Sequence, residues 1–278
     1  MPKAKTSERF FEANIYSIFA NGEEKPFKDV LAVEEPLEIR LSFWEGNKPV
    51  NQTISITMRT PGEDVELALG FLFSEGILES RYEIASVRNC SANTVKVDLN
   101  DNVKILLKNL RRFYTNSSCG LCGKPSLEAL DLTGIEKLKN GYPKLNLEII
   151  YSLSERLTRA QAGFNRTGGL HAAALFDTNG NLLRLKEDVG RHNAVDKLIG
   201  SYFLEGILPL DDKILFLSGR ASFELIQKAL RARIPIVCAV GAPSSLAVKT
   251  AEKFGLTLFG FVRENRFNLY TDSDRLRK

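Results

Sequence analysis

Cysteine and histidine are scarce in this chain. Among 278 residues there are four cysteines and two histidines. So few thiols exclude a disulfide-stapled scaffold. They also disfavour structural zinc, which takes four ligands, usually as two close pairs. Cys90 and Cys238 stand singly in expected strands, and His171 and His192 lie far apart. Long apolar runs are missing too: none reaches the ~18 residues of a membrane span. Met1 to Arg9 is charged and has no apolar h-region, so the expectation is a cytoplasmic, reducing setting with no secretory signal. Charge imbalance is small. A net charge of +4 suits an anionic small ligand and is too weak to argue for nucleic acid. Neither repeats nor low-complexity segments occur. The length leaves room for one large domain or two small ones.

What the chain does have is the stretch Ser117-Ser118-Cys119-Gly120-Leu121-Cys122-Gly123-Lys124. A Cys-x-x-Cys pair serves as a redox dithiol, as half of a zinc site, or as a sulfur-handling nucleophile. A free thiol titrates near ~8.5, and a neighbouring thiol, cation or helix start pulls it to roughly 3.5–7.5, which makes a thiolate available at neutral pH. Gly120 and Gly123 open backbone angles closed to other residues. The stretch reads as an exposed, mobile loop carrying a reactive sulfur. A thioredoxin-like dithiol would stand at the start of a helix early in a βαβ unit. Here the pair is mid-chain, and the next expected helix begins near Lys124-Pro125. Two unimportant loop cysteines are the bland alternative.

From Phe10 to Thr60, β-rich alternating segments predict short strands at Phe10-Phe11, Ile15-Tyr16, Leu37 to Leu41 and Ile54 to Met58, with a hairpin turn at Glu45-Gly46-Asn47. Thr60 to Asp64 opens a helix, capped by Thr60 or Gly62. Its apolar residues from Val65 to Phe73 cover more than one side, so it is expected to be buried, with Gly76 near its end. A strand pair is expected at Ile84 to Val97 and Val103 to Leu107, with Cys90 in the core. Arg111-Arg112 reads as solvated. Leu130 to Leu147, with Gly134, Gly141 and Pro143, reads as a connection.

Ser154 to Phe164 is predicted to be helical, capped by Ser152 or Ser154. His171 to Phe176 reads as a buried strand, Asp177 to Asn181 as a hairpin turn, and Leu182 to Lys186 as the returning strand. Glu187 to Asn193 leads into a helix with Val195, Leu198, Ile199, Tyr202 and Phe203 on one face. Three apolar strands follow, at Ile214 to Leu217, Ile236 to Val240 and Leu256 to Val262, the first two each with a helix after it. The pattern predicts a largely parallel sheet covered on both faces. Ligands sit at the carboxyl ends of such strands. Here those ends carry Ser218-Gly219-Arg220-Ala221-Ser222, Gly241-Ala242-Pro243-Ser244-Ser245 and Arg263-Glu264-Asn265-Arg266. Helix starts favour phosphate, and Arg220, Arg263 and Arg266 offer bidentate contacts to it. None of these turns is a Walker loop or a Gly-x-Gly-x-x-Gly fingerprint. His192, beside Arg191 and Asp188 at a strand–helix junction, is site-like. His171, which begins a strand, is less site-like and reads simply as a satisfied core histidine.

Taken together, these segments resemble the formate dehydrogenase accessory sulfurtransferase family, FdhD. The resemblance is carried by Ala68 to Ile77, Cys119 to Gly123, His171-Ala172-Ala173, Glu187 to Lys197 and Ser218 to Ser222. It implies an α/β chain in which a C-terminal cytidine-deaminase-like α/β/α sandwich (residues 146–278) joins an N-terminal β-rich subdomain (1–112) through a flexible Cys-x-x-Cys loop and linker (113–145). It also implies a sulfurtransferase that works as a homodimer. Sulfur would travel as a cysteine persulfide, from a cysteine desulfurase to the bis-molybdopterin guanine dinucleotide molybdenum cofactor of formate dehydrogenase. Cys119 would be the persulfide carrier and Cys122 its partner. Phe261, Val262, Arg263, Glu264, Asn265 and Arg266, with Arg220 and His192, would bind the cofactor, which a guanine nucleotide such as GDP would mimic. Relatives tend to carry a Lys-Pro-Gly-Arg-like ending in that segment. This chain keeps Phe261 and Arg266 without the Pro-Gly.

Two rival readings make different demands. A zinc deaminase on the same fold wants His-x-Glu and Pro-Cys-x-x-Cys. Here a serine precedes Cys119, and Ala173 and Ala194 stand two residues after the histidines, so no metal is expected. A non-catalytic chaperone that only binds and delivers the cofactor would need the arginine turns and not the cysteines.

Overall fold

The computed structural model describes residues 8–46, 48–100, 103 and 134–277. Cys119, Cys122, Arg111-Arg112 and nearly all of the strand expected at Val103 to Leu107 lie outside them. Two strands, β1 (Phe10–Ile18) and β2 (Glu24–Ala32), form an antiparallel hairpin. Next comes a four-stranded sheet of order β4-β3-β6-β5, built from β3 (Glu35–Glu45), β4 (Lys48–Arg59), β5 (Ile84–Ser91) and β6 (Thr94–Leu99). Alternation sets its inner face. Leu37, Ile39, Leu41 and Phe43 of β3 and Val95, Val97 and Leu99 of β6 are buried, with Glu38, Arg40, Lys96 and Asp98 between them.

Two expectations change here. Ile84 to Val97 is not one strand, because the chain turns at Ala92-Asn93 and β5 pairs back on β6 antiparallel. Cys90 is exposed rather than in the core. It sits on edge strand β5, whose residues packed on the core are Ile84 and Val87.

Helix α1 (Asp64–Ser74) opens just after the expected stretch and is buried along Leu67, Ala68, Leu69, Leu72 and Phe73, but its N-cap is Glu63, with a left-handed backbone and no side-chain cap, rather than Thr60 or Gly62. The fully buried Arg59 holds its start: Nε and Nη2 donate to the two carboxylate oxygens of Asp64 at 2.9 and 3.0 Å.

The second sheet has six strands in the order β13-β12-β11-β10-β8-β9. They are β8 (His171–Phe176), β9 (Leu182–Asp188), β10 (Ile214–Leu217), β11 (Ile236–Ala239), β12 (Thr257–Gly260) and β13 (Asn268–Thr271). Only β10, β11 and β12 run parallel to their neighbours in that set. The sheet is therefore mixed, not largely parallel. The Asp177–Asn181 turn folds β9 back on β8, β8 meets β10 antiparallel, and β13 returns beside β12. A short parallel pair, β7 (Leu145–Asn146) with β14 (Leu276–Arg277), ties the C-terminal strand to the start of the next helix.

Helices cover both faces. These are α2 (Leu147–Ala160), α3 (Ala162–Thr167), α4 (Arg191–Glu205), α5 (Phe223–Arg231) and α6 (Ser245–Phe254). Helix α2 starts earlier than predicted and breaks at Gln161, so the expected Ser154 to Phe164 helix straddles α2 and α3. Asn146 caps it by accepting from Glu148 N at 3.0 Å, and the buried stripe Ile150, Leu153 and Leu157 sets its register. That stripe packs on Ala172, Ala174, Phe176, Phe216 and Cys238. The alternate residues Ala173, Leu175, Leu215, Leu217 and Val237 face α4 and α5, in one cluster with α1 and the inner face of the four-stranded sheet. Strands buried on both faces read as continuous apolar runs. No helix of the described residues is long and apolar enough to cross a membrane.

Helices α1 and α4 touch backbone to backbone. A Cβ added at Gly70 would lie 1.9 Å from the carbonyl oxygen of Asp196, and one at Gly200 would lie 1.8 Å from that of Glu66. Only glycine permits this approach.

Candidate functional site

The carboxyl ends of β10, β11 and β12 open on one edge of the six-stranded sheet. Because β8 runs against β10, its first residue, His171, lies at the same edge. His171 in turn pairs with Asp188 at the end of β9. Stretches far apart in the chain therefore meet: His171, Glu187 to His192, Ser218 to Ser222, Gly241 to Ser244 and Phe261 to Arg266. Their turns are stitched together through the backbone. Gly241 N donates to Gly219 O at 2.9 Å, Ala221 N to Ala242 O at 3.2 Å, and Phe261 N to Gly241 O at 3.2 Å. Gly241 has no room for a side chain, since a Cβ would come within 3.0 Å of Arg220 N.

An open cavity of about 490 Å³ lies between this edge and α2–α3, lined in part by Gln161, Phe164, His171, Ser218, Val240 and Arg263. Ser218 Oγ accepts from Ala172 N at 2.7 Å, which fixes the serine against the strand. Burial lowers the pKa of His171, and the charges of Arg191 and His192 lower it further, so its imidazole is neutral at pH 7. Arg191 has a buried Nε with no hydrogen-bond partner among the described residues.

The arginines divide in role. Arg263 Nη1 donates to Val240 O at 2.9 Å and Val262 O at 2.8 Å, which pins the turn. Arg220 and Arg266 are exposed. Phe261 is exposed and holds a left-handed backbone (φ 52°), a conformation that costs energy in a non-glycine residue and clusters at functional sites. Val262 is fully buried in the core, with its N–H on Ala239 O at 3.0 Å, so it anchors the segment from below. Glu264 and Asn265 are exposed on a turn closed by Arg263 N donating to Arg266 O at 2.8 Å. The turn closes without a Pro-Gly pair. His192, in the first turn of α4, lies 3.3 Å from Ser222 Oγ and 3.9 Å from Glu224 Oε2. The neighbouring His192 ring, with help from the Ser222 hydroxyl and a backbone N–H, holds the Glu224 carboxyl at about 2 against the effect of burial.

Sequence reasoning missed a buried polar network behind this edge. Asp188 and Lys197 pair at 2.8 Å, both side chains fully buried. Asp188 also accepts from Thr60 N, Gly190 N and Asn193 Nδ2 at 2.9–3.1 Å. Lys197 donates to Thr60 O at 2.8 Å, and Asn193 Nδ2 to Met58 O at 2.7 Å. Asp196 accepts from Ser74 Oγ at 3.0 Å and from Lys228 Nζ at 2.8 Å. Burial works against the Lys228 ammonium, but the Asp196 and Glu75 carboxylates outweigh it and raise its pKa. Glu187 caps α3, accepting from Gly163 N and Phe164 N, both at 2.8 Å. Most of the Glu187–Lys197 run thus holds the edge in place, and His192 and Arg191 are what it presents. The available signal was an Asp-Lys pair embedded between apolar residues of one helix, which demands buried partners.

Residues 32–277 match the model of the FdhD/NarQ family. The proteins named sulfur carrier protein FdhD include similar chains from Streptomyces avermitilis, 49% identical over 259 residues and 89% of each chain, and from Saccharolobus solfataricus, 44% identical over 248 residues, 89% of this chain and 91% of the relative. A third, from Picrophilus torridus, is 44% identical over 260 residues, 94% of this chain and 97% of the relative. A crystal structure described as a candidate formate dehydrogenase accessory protein from Desulfotalea psychrophila superposes with a TM-score of 0.74 over 97% of this chain and 100% of that one. At 24% identity that likeness shows the fold.

Proposed function

This chain belongs to the FdhD/NarQ family, and from that premise we propose that it is a sulfurtransferase serving formate dehydrogenase. On this reading it takes sulfur from a cysteine desulfurase and delivers it to the bis-molybdopterin guanine dinucleotide molybdenum cofactor in the cytoplasm. Its C-terminal layers serve as a cytidine-deaminase-like scaffold without the deaminase chemistry.

The Cys119 thiolate attacks the outer sulfur of the donor's persulfide. The donor S–S bond breaks, its thiolate leaves, and a persulfide forms on Cys119. The Cys122 thiolate then attacks the inner sulfur of Cys119. That step releases the outer sulfur as sulfide to the molybdenum substrate and leaves a Cys119–Cys122 disulfide, which a cellular dithiol reopens. Both cysteines lie outside the described residues, so their part rests on the sequence.

The observation that carries the binding half is the meeting of four turns on one sheet edge, two of which reach the 490 Å³ cavity through Ser218 and Arg263, a size suited to one nucleotide arm. Arg220, Arg263 and Arg266 supply cations for diphosphate. The exposed ring of Phe261 offers a stacking face for a base, and neutral His171 offers a hydrogen bond that adds no charge. The names of the relatives support the sulfur-carrying half.

Incubation with a cysteine desulfurase and cysteine, followed by intact-mass measurement, is expected to show one added sulfur on Cys119. A wild-type protein that never gains that mass refutes the reading. If Cys119→Ala still supports full formate dehydrogenase activity, the protein is the non-catalytic chaperone instead.

A further inference from the structure

One buried polar side chain in the cavity wall makes no hydrogen bond among the described residues. Gln161 is 6% exposed and lines the cavity from the α2–α3 side. It stands at the break between the two helices, with φ −77° and ψ 69°. Its backbone is satisfied in both directions: its N–H donates to Leu157 O at 3.1 Å, and its carbonyl accepts from Asn165 N at 2.9 Å. Only the side-chain amide is left over. The break itself is held firmly. Glu187 of β9 accepts from Gly163 N and Phe164 N, and a Cβ at Gly163 would lie 2.8 Å from Glu187 Oε2, so the first turn of α3 is seated tightly on that strand. Other polar groups of the wall are committed. Ser218 Oγ accepts from Ala172 N, Thr158 Oγ1 donates to Ser154 O at 3.0 Å, and Arg263 Nη1 is held by two carbonyls. Most buried polar side chains find a hydrogen-bond partner, and burying one without a partner costs free energy. The Gln161 amide is therefore set for something that enters the cavity.

We propose that Gln161 holds the hydrogen-bonding edge of the nucleobase, which rests on the nucleotide reading of the cavity given above. An amide offers a donor and an acceptor side by side. Phosphate and carboxylate offer acceptors only, so either would leave the amide carbonyl unmet. A nucleobase edge offers both. On guanine the amide carbonyl accepts from N1–H while the amide NH2 donates to O6, and two parallel bonds form. Both partners are neutral, so the contact needs no buried counter-charge. Leu157 and Phe164 line the same wall and add apolar surface for the ring. Ser218 and Arg263 stand on the other wall, at the sheet edge that also carries Arg220 and Arg266. The direction of the ligand follows: diphosphate towards the arginine turns, base towards the helix break. The cofactor has two such arms, and this cavity takes one. Adenine carries the same two kinds of group in reverse order, and the amide meets it by turning over. Gln161 thus fixes how the base is held and does not by itself choose guanine over adenine.

Titration calorimetry on the full chain tests this with two probes, GDP and its N1-methyl derivative, which has a methyl group in place of the N1 hydrogen. The wild type is expected to bind GDP about tenfold or more tightly than the N1-methyl derivative, the discrimination that one bidentate base contact gives. Gln161→Met keeps the length of the side chain and removes both hydrogen-bonding groups. It is expected to weaken GDP about tenfold and to bind the two probes within about threefold of each other. Near-UV circular dichroism checks that this variant still folds, and the wild-type comparison stands without it. Equal wild-type affinities for the two probes overturn the proposal, as does a folded Gln161→Met that prefers GDP as strongly as the wild type does. Either result leaves the nucleotide reading of the cavity in place. A wild type that binds neither probe brings down that reading, and this one with it.

Discussion

Replacing Gly200 by alanine sets two effects of opposite sign against each other. Alanine in place of glycine inside a helix stabilises it by about 1 kcal/mol. At this position, however, the new Cβ would lie 1.8 Å from Glu66 O, 2.6 Å from Gly70 N and 2.8 Å from Glu66 C. Carbon normally approaches such atoms to ~3.5 Å, so α1 and α4 would have to part by about 1.5 Å. Overpacking costs ~1–3 kcal/mol where side chains can yield. Here every clashing atom is backbone, and none can rotate away. Parting the helices also stretches the Ser74–Asp196 bond across the seam, 3.0 Å at present, which is worth about 1 kcal/mol. Sterics win, and a net loss of about 2–4 kcal/mol follows. For a chain of this size that lowers the melting temperature by roughly 3–7 °C. Thermal and urea unfolding followed by circular dichroism would measure it. A Gly200→Ala protein that melts at or above the wild-type temperature would show that helix propensity governs this position and that the crossing is not as close as described.

Other expectations concern the buried charges and the edge. Lys197→Met leaves Asp188 fully buried without its cation and should cost about 3–5 kcal/mol by urea unfolding. Adding Asp188→Asn should recover part of it, and no recovery would mean that the pair is not coupled. The lowered pKa of His171 gives a signed pH effect. Between its folded value and about 6.5 the unfolded chain binds more protons, so stability rises with pH. His171→Asn should flatten the dependence of the urea midpoint on pH just below 6.5, and an unaltered slope would sink the assignment. The Glu224 carboxyl, at about 2 against an ordinary 4.5, acts in a separate window. Its contribution is full above 4.5 and is lost as pH falls towards 2, so Glu224→Gln should reduce acid sensitivity there. Arg220→Ala should weaken GDP binding by about tenfold or more, the loss of a charge-assisted hydrogen bond. Equal affinities by titration calorimetry would remove Arg220 from the site.

Much of the C-terminal half could be read in advance because its signals are local. His171 to Phe176 is a short apolar run ended by an Asp-Thr-Asn-Gly-Asn turn, and Ser218, Gly241 and Arg263 follow apolar strands in the same way. Strand direction is not local, which is why β8, β9 and β13 turned an expected parallel sheet into a mixed one. Cys90 was misplaced because a strand's sequence does not tell which face its partner will cover. The start of α2 was missed because Ser152 and Ser154 are good caps by type, whereas the burial of Ile150, Leu153 and Leu157 decided the register. The site was legible as a set of turns, but the work of Asp188, Asn193, Asp196 and Lys197 was not. Their partners Met58, Thr60 and Ser74 lie more than 100 positions upstream, and no window of sequence joins them.

The seam where Gly70 meets Gly200 bears on how the protein can be taken apart. A fragment starting at β7 would carry every lining residue of the cavity, yet it would bare the groove that α1 occupies and strand Lys197 and Asp196 without Thr60 and Ser74. Transplanted alone, the pocket would keep its chemistry and lose its stiffness. The amino-terminal layer is therefore the splint of the ligand edge, and the two are best inherited, expressed and engineered together.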